Sequence, residues 1–218
     1  MSNFEDEENI LDLDDLGLSD DFITITVQEL ILIVYDASGS MKEHGSSGQP
    51  KYKEAEIATN GFINRLQLSR AASSFHIAVA IFNDDVTEIL PPTPVLELPA
   101  EDAVSLPKPS GNTNLDAGLE WAENLAEKFI KDSGDIDSDV KKAAIVVLSD
   151  GRVNRGEDPS IRGQRLANLH TVGAGAFGNA AEEVLKGIVT VPDLFKRDPS
   201  PEDLRALLER STLRAMRN

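Results

Sequence analysis

LILIVYDASGSM, Leu30 to Met41, is the stretch whose reading decides the fold. Six apolar residues in a row are far too few for a membrane span. They are what a strand buried on both faces of a parallel sheet needs. The run ends abruptly in an acid and a Gly/Ser loop, so Asp36, Ser38 and Ser40 present three oxygen side chains within one turn. AAIVVLS, residues 143–149, repeats the pattern and is followed by Asp150-Gly151. If both runs are parallel strands, Asp36 and Asp150 emerge on the same edge. That edge, at the carboxyl ends of the strands, is where open α/β sheets bind ligands.

The segments around these runs alternate between the two periodicities. FITITV (22–27) alternates with period two and leads into LILIVY. The sequence leaves open whether it extends that strand or forms a separate edge strand, because Gln28-Glu29 is poor turn chemistry. Ala55, Ala58, Phe62 and Leu66 recur at helical spacing between Lys53 and Arg70, and FHIAVAIF (75–82) reads as the next strand. Asn83-Asp84-Asp85 turns the chain into VTEIL (86–90), expected as an antiparallel edge strand. Prolines 91, 92, 94, 99, 107 and 109 then mark a long irregular connection.

After Gly111-Asn112-Thr113-Asn114 a helix is expected to about Lys131, then a polar loop over 132–139 and the strand AAIVVLS. A short helix around Ser160–Ala167, the strand LHTVGA (169–174), a helix from Asn179 to Lys186, the strand GIVTV (187–191) and a final helix after Pro201 complete the chain. Strands alternating with helices predict an α/β fold. Its central sheet is doubly wound and mostly parallel, with one antiparallel edge strand, helices on both faces and right-handed crossovers.

Composition bounds the function. The 218 residues, 40% hydrophobic and 27% charged, suit one domain with a real core. There is no cysteine, which removes disulfides, zinc–thiolate sites and thiol catalysis. Charge is uneven: the net −17 comes from 38 acids and 21 bases, and residues 1–22 hold nine of the acids and no base. That acidic–hydrophobic alternation reads as a solvating leader or a docking segment, with the domain proper at 23–218. An acidic surface without a basic stripe argues against nucleic acid and anionic lipid as partners. MSNFEDEEN lacks the features of a signal peptide, and no run reaches the roughly 18–20 apolar residues of a membrane span, so the expected compartment is the cytoplasm.

The chemistry-bearing residues are Asp36, Ser38, Ser40, Thr113 and Asp150. Two carboxylates and three hydroxyls form an all-oxygen set, suited to a hard divalent cation such as Mg²⁺, with Mn²⁺ or Ca²⁺ as substitutes. Alone, D-x-S-x-S is equally a turn or helix cap without metal. The order D-x-S-x-S, then Gly-x-Thr-x-Leu before a helix, then strand-Ser-Asp-Gly is far more specific. In that order the chain resembles a von Willebrand factor type A domain with a complete metal-ion-dependent adhesion site, over about residues 23–218. DASGSM, FNDDV, SGNTNLDAGL, VVLSDGRVN and LHTVGAGAF all fall in family order, and only the acidic leader departs from the pattern.

The resemblance implies direct ion contacts from Ser38, Ser40 and Thr113, with Asp36 and Asp150 acting mostly through water. It implies a non-enzymatic protein-interaction module, in which a partner's Asp or Glu displaces water from the ion. Small soluble bacterial proteins of this kind resemble components of stress or signalling systems, including tellurite-resistance-associated ones, that work with kinases, phosphatases or ATPases. The alternative is an adaptor subunit of an AAA⁺ ATPase complex, chelatase-like or MoxR-type.

Three enzymatic readings compete. A haloacid-dehalogenase-like phosphatase needs a second acid two residues after Asp36, where this chain has Ser38. Gly173-Ala-Gly175-Ala-Phe-Gly178, with Asp193 further on, matches a dinucleotide fingerprint, but too little chain follows to complete the fold. A metallohydrolase would want a base. His76 and His170 sit in strand patterns as packed residues, and His44 lies in the Gly/Ser loop at the rim. Lys42, Glu43, Gln49 and Lys53 read as a solvated rim, and Trp121 as core packing.

Overall fold

The structure, a computed structural model, describes residues 26–132, 139–151, 153–178 and 181–217. The elements run β1 (Thr26–Asp36), α1 (Lys51–Gln67), β2 (Phe75–Phe82), β3 (Val86–Pro94), α2 (Leu115–Lys131), β4 (Asp139–Ser149), α3 (Pro159–Leu169), β5 (Thr171–Ala176), α4 (Glu182–Ile188), β6 (Phe195–Arg197) and α5 (Pro201–Arg217). They build one six-stranded sheet in the order β3-β2-β1-β4-β5-β6. Every pairing is parallel except the antiparallel β2–β3 pair at one edge. The α/β expectation holds.

β1 shows why the sheet is central. Its side chains alternate between two cores: Leu30, Leu32 and Val34 pack under α2, α3 and α4, whereas Ile31, Ile33 and Tyr35 pack under α1 and α5. All six are essentially fully buried, each contributing about 1.5–3 kcal/mol on removal from water. From β1 the chain moves outward through α1 to β2 and β3, then returns through α2 to β4 on the other side of β1. The topological switch therefore falls between β1 and β4, at the tips that carry Asp36 and Asp150.

Local sequence explains the ends of the helices. Asn114 caps α2 by accepting from the Ala117 N–H at 3.3 Å, and Asp158 caps α3 with Pro159 in the first turn. Ser200 and Asp203 form a reciprocal capping box at the start of α5. Between α2 and α3, Arg162 bonds Asp116 at 2.8 Å and Glu123 at 2.7 Å, and Arg165 also holds Glu123. This network fixes α2, whose first turn follows Thr113.

Several expectations need correction. GIVTV is not a strand: Gly187 and Ile188 finish α4, and the last strand is Phe195–Arg197. A five-residue apolar run does not distinguish strand from helix. Ile188 faces inward against Gly163 of α3, where any Cβ would collide with it. Prolines 91, 92 and 94 do not open an irregular connection but continue β3. An edge strand tolerates them because its outer N–H groups need no ladder partner. Register shifts between Ile77 and Val79 and between Val79 and Ala80 absorb the irregularity.

FITITV resolves in part. Thr26 and Val27 begin a continuous β1, so no hairpin interrupts it at Gln28-Glu29. The leader, residues 1–22, lies outside the described residues.

The dinucleotide fingerprint also has a structural account. Gly173 and Gly175 lie inside β5, not in a phosphate-binding turn. A Cβ on Gly175 would sit 2.8 Å from Leu148 and 3.2 Å from Leu204. These glycines let α5 approach the sheet. Asp193 lies in a single 3₁₀ turn, Pro192–Leu194.

Glu29 is the anomaly of the core. It is fully buried near the start of β1, and neither carboxylate oxygen has a hydrogen-bond partner among the described residues. Burial pushes its pKa up to about 9 from 4.5, against the opposing pull of Lys142. Between those values the folded chain holds a proton that the unfolded chain has lost, so stability falls as pH rises, by roughly 1 kcal/mol per pH unit. Glu29→Gln should remove that slope. In thermal melts the variant should gain on the wild type steadily from about pH 5 to about pH 8, and parallel curves would contradict the assignment.

Candidate metal centre

The five sequence-selected residues come together at the β1/β4 tips. Asp36 ends β1 with 1% exposure, and Ser38 and Thr113 are 3% exposed and Asp150 6%. Ser40 is less enclosed. The Ser38 and Ser40 hydroxyls lie 3.2 Å apart, and the Ser40 hydroxyl donates to Asp150 Oδ1 at 2.6 Å. The loop after β1 is thereby tied to the end of β4. Asp36 is held in place by two donors: the Ser38 N–H on Oδ1 at 2.7 Å and the Ser149 hydroxyl on Oδ2 at 2.5 Å.

Thr113 arrives from a third loop. An added Cβ on Gly151 would fall 2.6 Å from Thr113 Oγ1 and 3.4 Å from Asp36 Oδ2. The threonine hydroxyl and the carboxylate thus converge on the backbone that follows Asp150, and only glycine leaves that space open. Asn154 pins this approach from both sides: its Oδ1 accepts from the Thr113 N–H at 3.0 Å, and its own N–H donates to the Thr113 carbonyl at 3.2 Å. The FNDDV turn contributes as well. Asn83 receives the Asn114 N–H and donates its side chain to the Ser110 carbonyl, while Asp84 accepts from Asn112 at 2.7 Å. Gly111, at φ +88°, supplies the left-handed bend, and a Cβ there would meet Asp84.

Two buried carboxylates face each other here. Burial pushes the Asp36 carboxyl above its ordinary range and the neighbouring Asp150 charge adds to this, while the bonds from Ser149 and Ser38 pull the other way. Two nearby carboxylates with neutral hydroxyls fit a hard divalent ion: Mg²⁺, Mn²⁺ or Ca²⁺. Among the described residues no group of three or more His, Cys, Asp or Glu could hold a metal. A site here depends on Ser38, Ser40 and Thr113 as much as on its acids.

Sequence reasoning missed four participants. Lys51 opens α1 and places its ammonium 2.6 Å from Asp150 Oδ2 and 3.1 Å from Glu43. Burial lowers its pKa, but the hydrogen bonds and charges of Asp150 and Glu43 outweigh this and hold it above the usual lysine range. Glu54 is buried in α1 and accepts from both the backbone and the hydroxyl of Ser47, anchoring the long loop. Asn154 and Ser149 complete the set. A basic residue in the first helical turn, against the helix dipole, was the available signal for Lys51; Asn154 carries no such mark.

The remaining candidates are structural or peripheral. His76 packs against Phe129 with ring centroids 5.3 Å apart, and the His170 backbone closes α3. Burial lowers the pKa of both. His44 is exposed and forms a bridge with Pro50. Lys42 and Gln49 are exposed, and Lys53 pairs with Glu56. Trp121 packs against the α2 core and donates to Glu88.

The von Willebrand factor type A domain family matches residues 31–210, and the chain belongs to it. Domains of this family are mostly non-catalytic and generally bind protein partners. Solved structures agree in fold. Proximal thread matrix protein 1 from the mussel byssus superposes with a TM-score of 0.60 at 22% identity, over 86% of this chain and 47% of that one. A second structure of that protein, with a zinc-occupied metal-ion-dependent adhesion site, gives 0.58 at 19% identity, over 88% and 47%. The pilus adhesin SpaC from Lactobacillus rhamnosus GG gives 0.66 at 13% identity, over 88% and 31%. The chain therefore spans about half or less of these relatives' length. No curated protein matches it.

Gly151→Ala tests the convergence directly. The new methyl group occupies the space between Thr113 and Asp36, so Mn²⁺ affinity measured by calorimetry should fall by roughly tenfold or more. The melting temperature without metal should drop by only a few degrees. Unchanged affinity would show that the ion does not sit among these loops.

Proposed function

We propose that the chain is a non-enzymatic, Mg²⁺-dependent protein-interaction module. Asp36, Ser38, Ser40, Thr113 and Asp150 form its metal-ion-dependent adhesion site, and the ligand is an Asp or Glu on a partner protein. The observation that carries this reading is the meeting of three loops at one buried cluster of oxygen side chains. A cytoplasmic bacterial stress or signalling system is the proposed setting, with a kinase, a phosphatase or an AAA⁺ ATPase as the partner class. Among the described residues no helix is long and apolar enough to cross a membrane.

The chain's own residues suit capture better than turnover. A bound divalent ion would supply an electrophilic position open to a carboxylate. Two carboxylates would formally balance the ion and the three hydroxyls add no charge, so the ion would keep a water position that a partner's carboxylate can take. The donors on Asp36 keep its oxygens aimed and its charge in place. Among the described residues, the second position after Asp36 is Ser38 rather than an acid, His76 packs against Phe129, and His44 is exposed in the loop.

The test is co-purification from a lysate of the source cell with Mg²⁺ or with chelator, using wild type, Asp36→Ala and Thr113→Ala. The expected result is a partner retained by wild type only in Mg²⁺ and lost by both variants. Both variants should keep wild-type melting within a few degrees, since loop-tip polar residues support little core. Retention in chelator would place the contact surface elsewhere.

A further inference from the structure

Lys51 occupies a position that a lysine has physical reason to avoid. The first turn of a helix carries partial positive charge, so a cation there is disfavoured unless something specific holds it. What holds it is the proposed ion site. The ammonium lies 2.6 Å from Asp150 Oδ2, with its side chain 13% exposed and that of Asp150 1%. Asp150 is thus engaged at both oxygens, by Ser40 on Oδ1 and by Lys51 on Oδ2. Glu43, 3.1 Å from the same ammonium but 71% exposed, offers a second anchor towards solvent.

We propose that Lys51 is a tethered cation that shares Asp150 with the divalent ion. Without metal, it neutralises one of two carboxylates that would otherwise repel each other, so the loops of the site stay together. Metal must then enter against a resident positive charge, which weakens its binding. With metal bound, Asp36, Asp150 and Glu43 formally balance the divalent ion and the ammonium, but Glu43 is 71% exposed and screened by solvent, so the buried part of the site keeps an excess of positive charge. An acidic partner removes that excess, so ion and partner bind more tightly together than either binds alone. This inference rests on reading the five residues as an ion site.

The experiment uses the full chain, Mn²⁺ as the probe and low ionic strength, comparing wild type with Lys51→Met and Lys51→Arg. Methionine keeps the stem and removes the charge; arginine keeps the charge. Lys51→Met should bind Mn²⁺ about tenfold more tightly, as expected when a like charge leaves a partly buried site. Lys51→Arg should stay near wild type, and the gap should shrink with added salt. In chelator, Lys51→Met should melt below wild type, and saturating Mn²⁺ should close the difference. Equal or weaker Mn²⁺ binding by Lys51→Met would overturn the shared-carboxylate role. Absence of Mn²⁺ binding by wild type would overturn the ion-site reading itself, and the role of Lys51 with it.

Discussion

Two carboxylates at the tips of adjacent parallel strands repel each other, and much of this edge of the molecule is arranged around that repulsion. The pairing of β1 with β4 runs in unbroken register from Thr26–Asp139 to Tyr35–Leu148, so the following acids, Asp36 and Asp150, cannot move apart without breaking the centre of the sheet. Burial of both sharpens the conflict. The fold responds with donors: Ser149 and the Ser38 N–H on one acid, Ser40 and Lys51 on the other. The edge thus concentrates negative charge where strands end and surrounds it with hydroxyls and one ammonium.

The scaffold supplies rigidity at the right places. The strands beneath the site are buried on both faces, so their ends are fixed. The loops above are individually irregular but tied to one another, by Asn154 to the Thr113 loop, by Asn83 and Asp84 to residues 110–114, and by Glu54 to the long loop before α1. These ties use a side chain on one segment to satisfy backbone or side-chain groups on another. The loops that carry Ser38, Thr113 and Asp150 therefore share their order, and losing one tie weakens the geometry of the others.

How much of this was legible follows from the kind of signal each residue carries. The buried strands announce themselves as uninterrupted apolar runs, and Asp36 and Asp150 are conspicuous because each ends one. Thr113 was found from its place in a Gly-flanked loop before an amphipathic helix. Lys51, Glu54 and Asn154 were not: a cation against the helix dipole marks Lys51 only once the helix is known to begin there rather than at Lys53, Glu54 looks like an ordinary solvated residue, and a loop asparagine has no period to violate. GIVTV failed for a related reason. Its apolar residues pack against α3 and β5, and burial alone does not say whether a segment is coiled or extended. The prolines of β3 misled because their meaning depends on whether a strand has a neighbour, which local sequence does not reveal.

Those prolines have a consequence for how this molecule can meet others. Sheets commonly recruit partners by adding a strand at an exposed edge, main chain to main chain. Here one edge is β3, interrupted by Pro91, Pro92 and Pro94, and the other is β6, only three residues long. Prolines thus remove donors from the second half of β3, leaving a proline-free run only at residues 86–90, and β6 is too short to template a long incoming chain. Backbone zippering, with its tolerance for many sequences, is thereby confined to short stretches at either side of the sheet. What the sheet displays most fully are the side chains at the points where its strands stop.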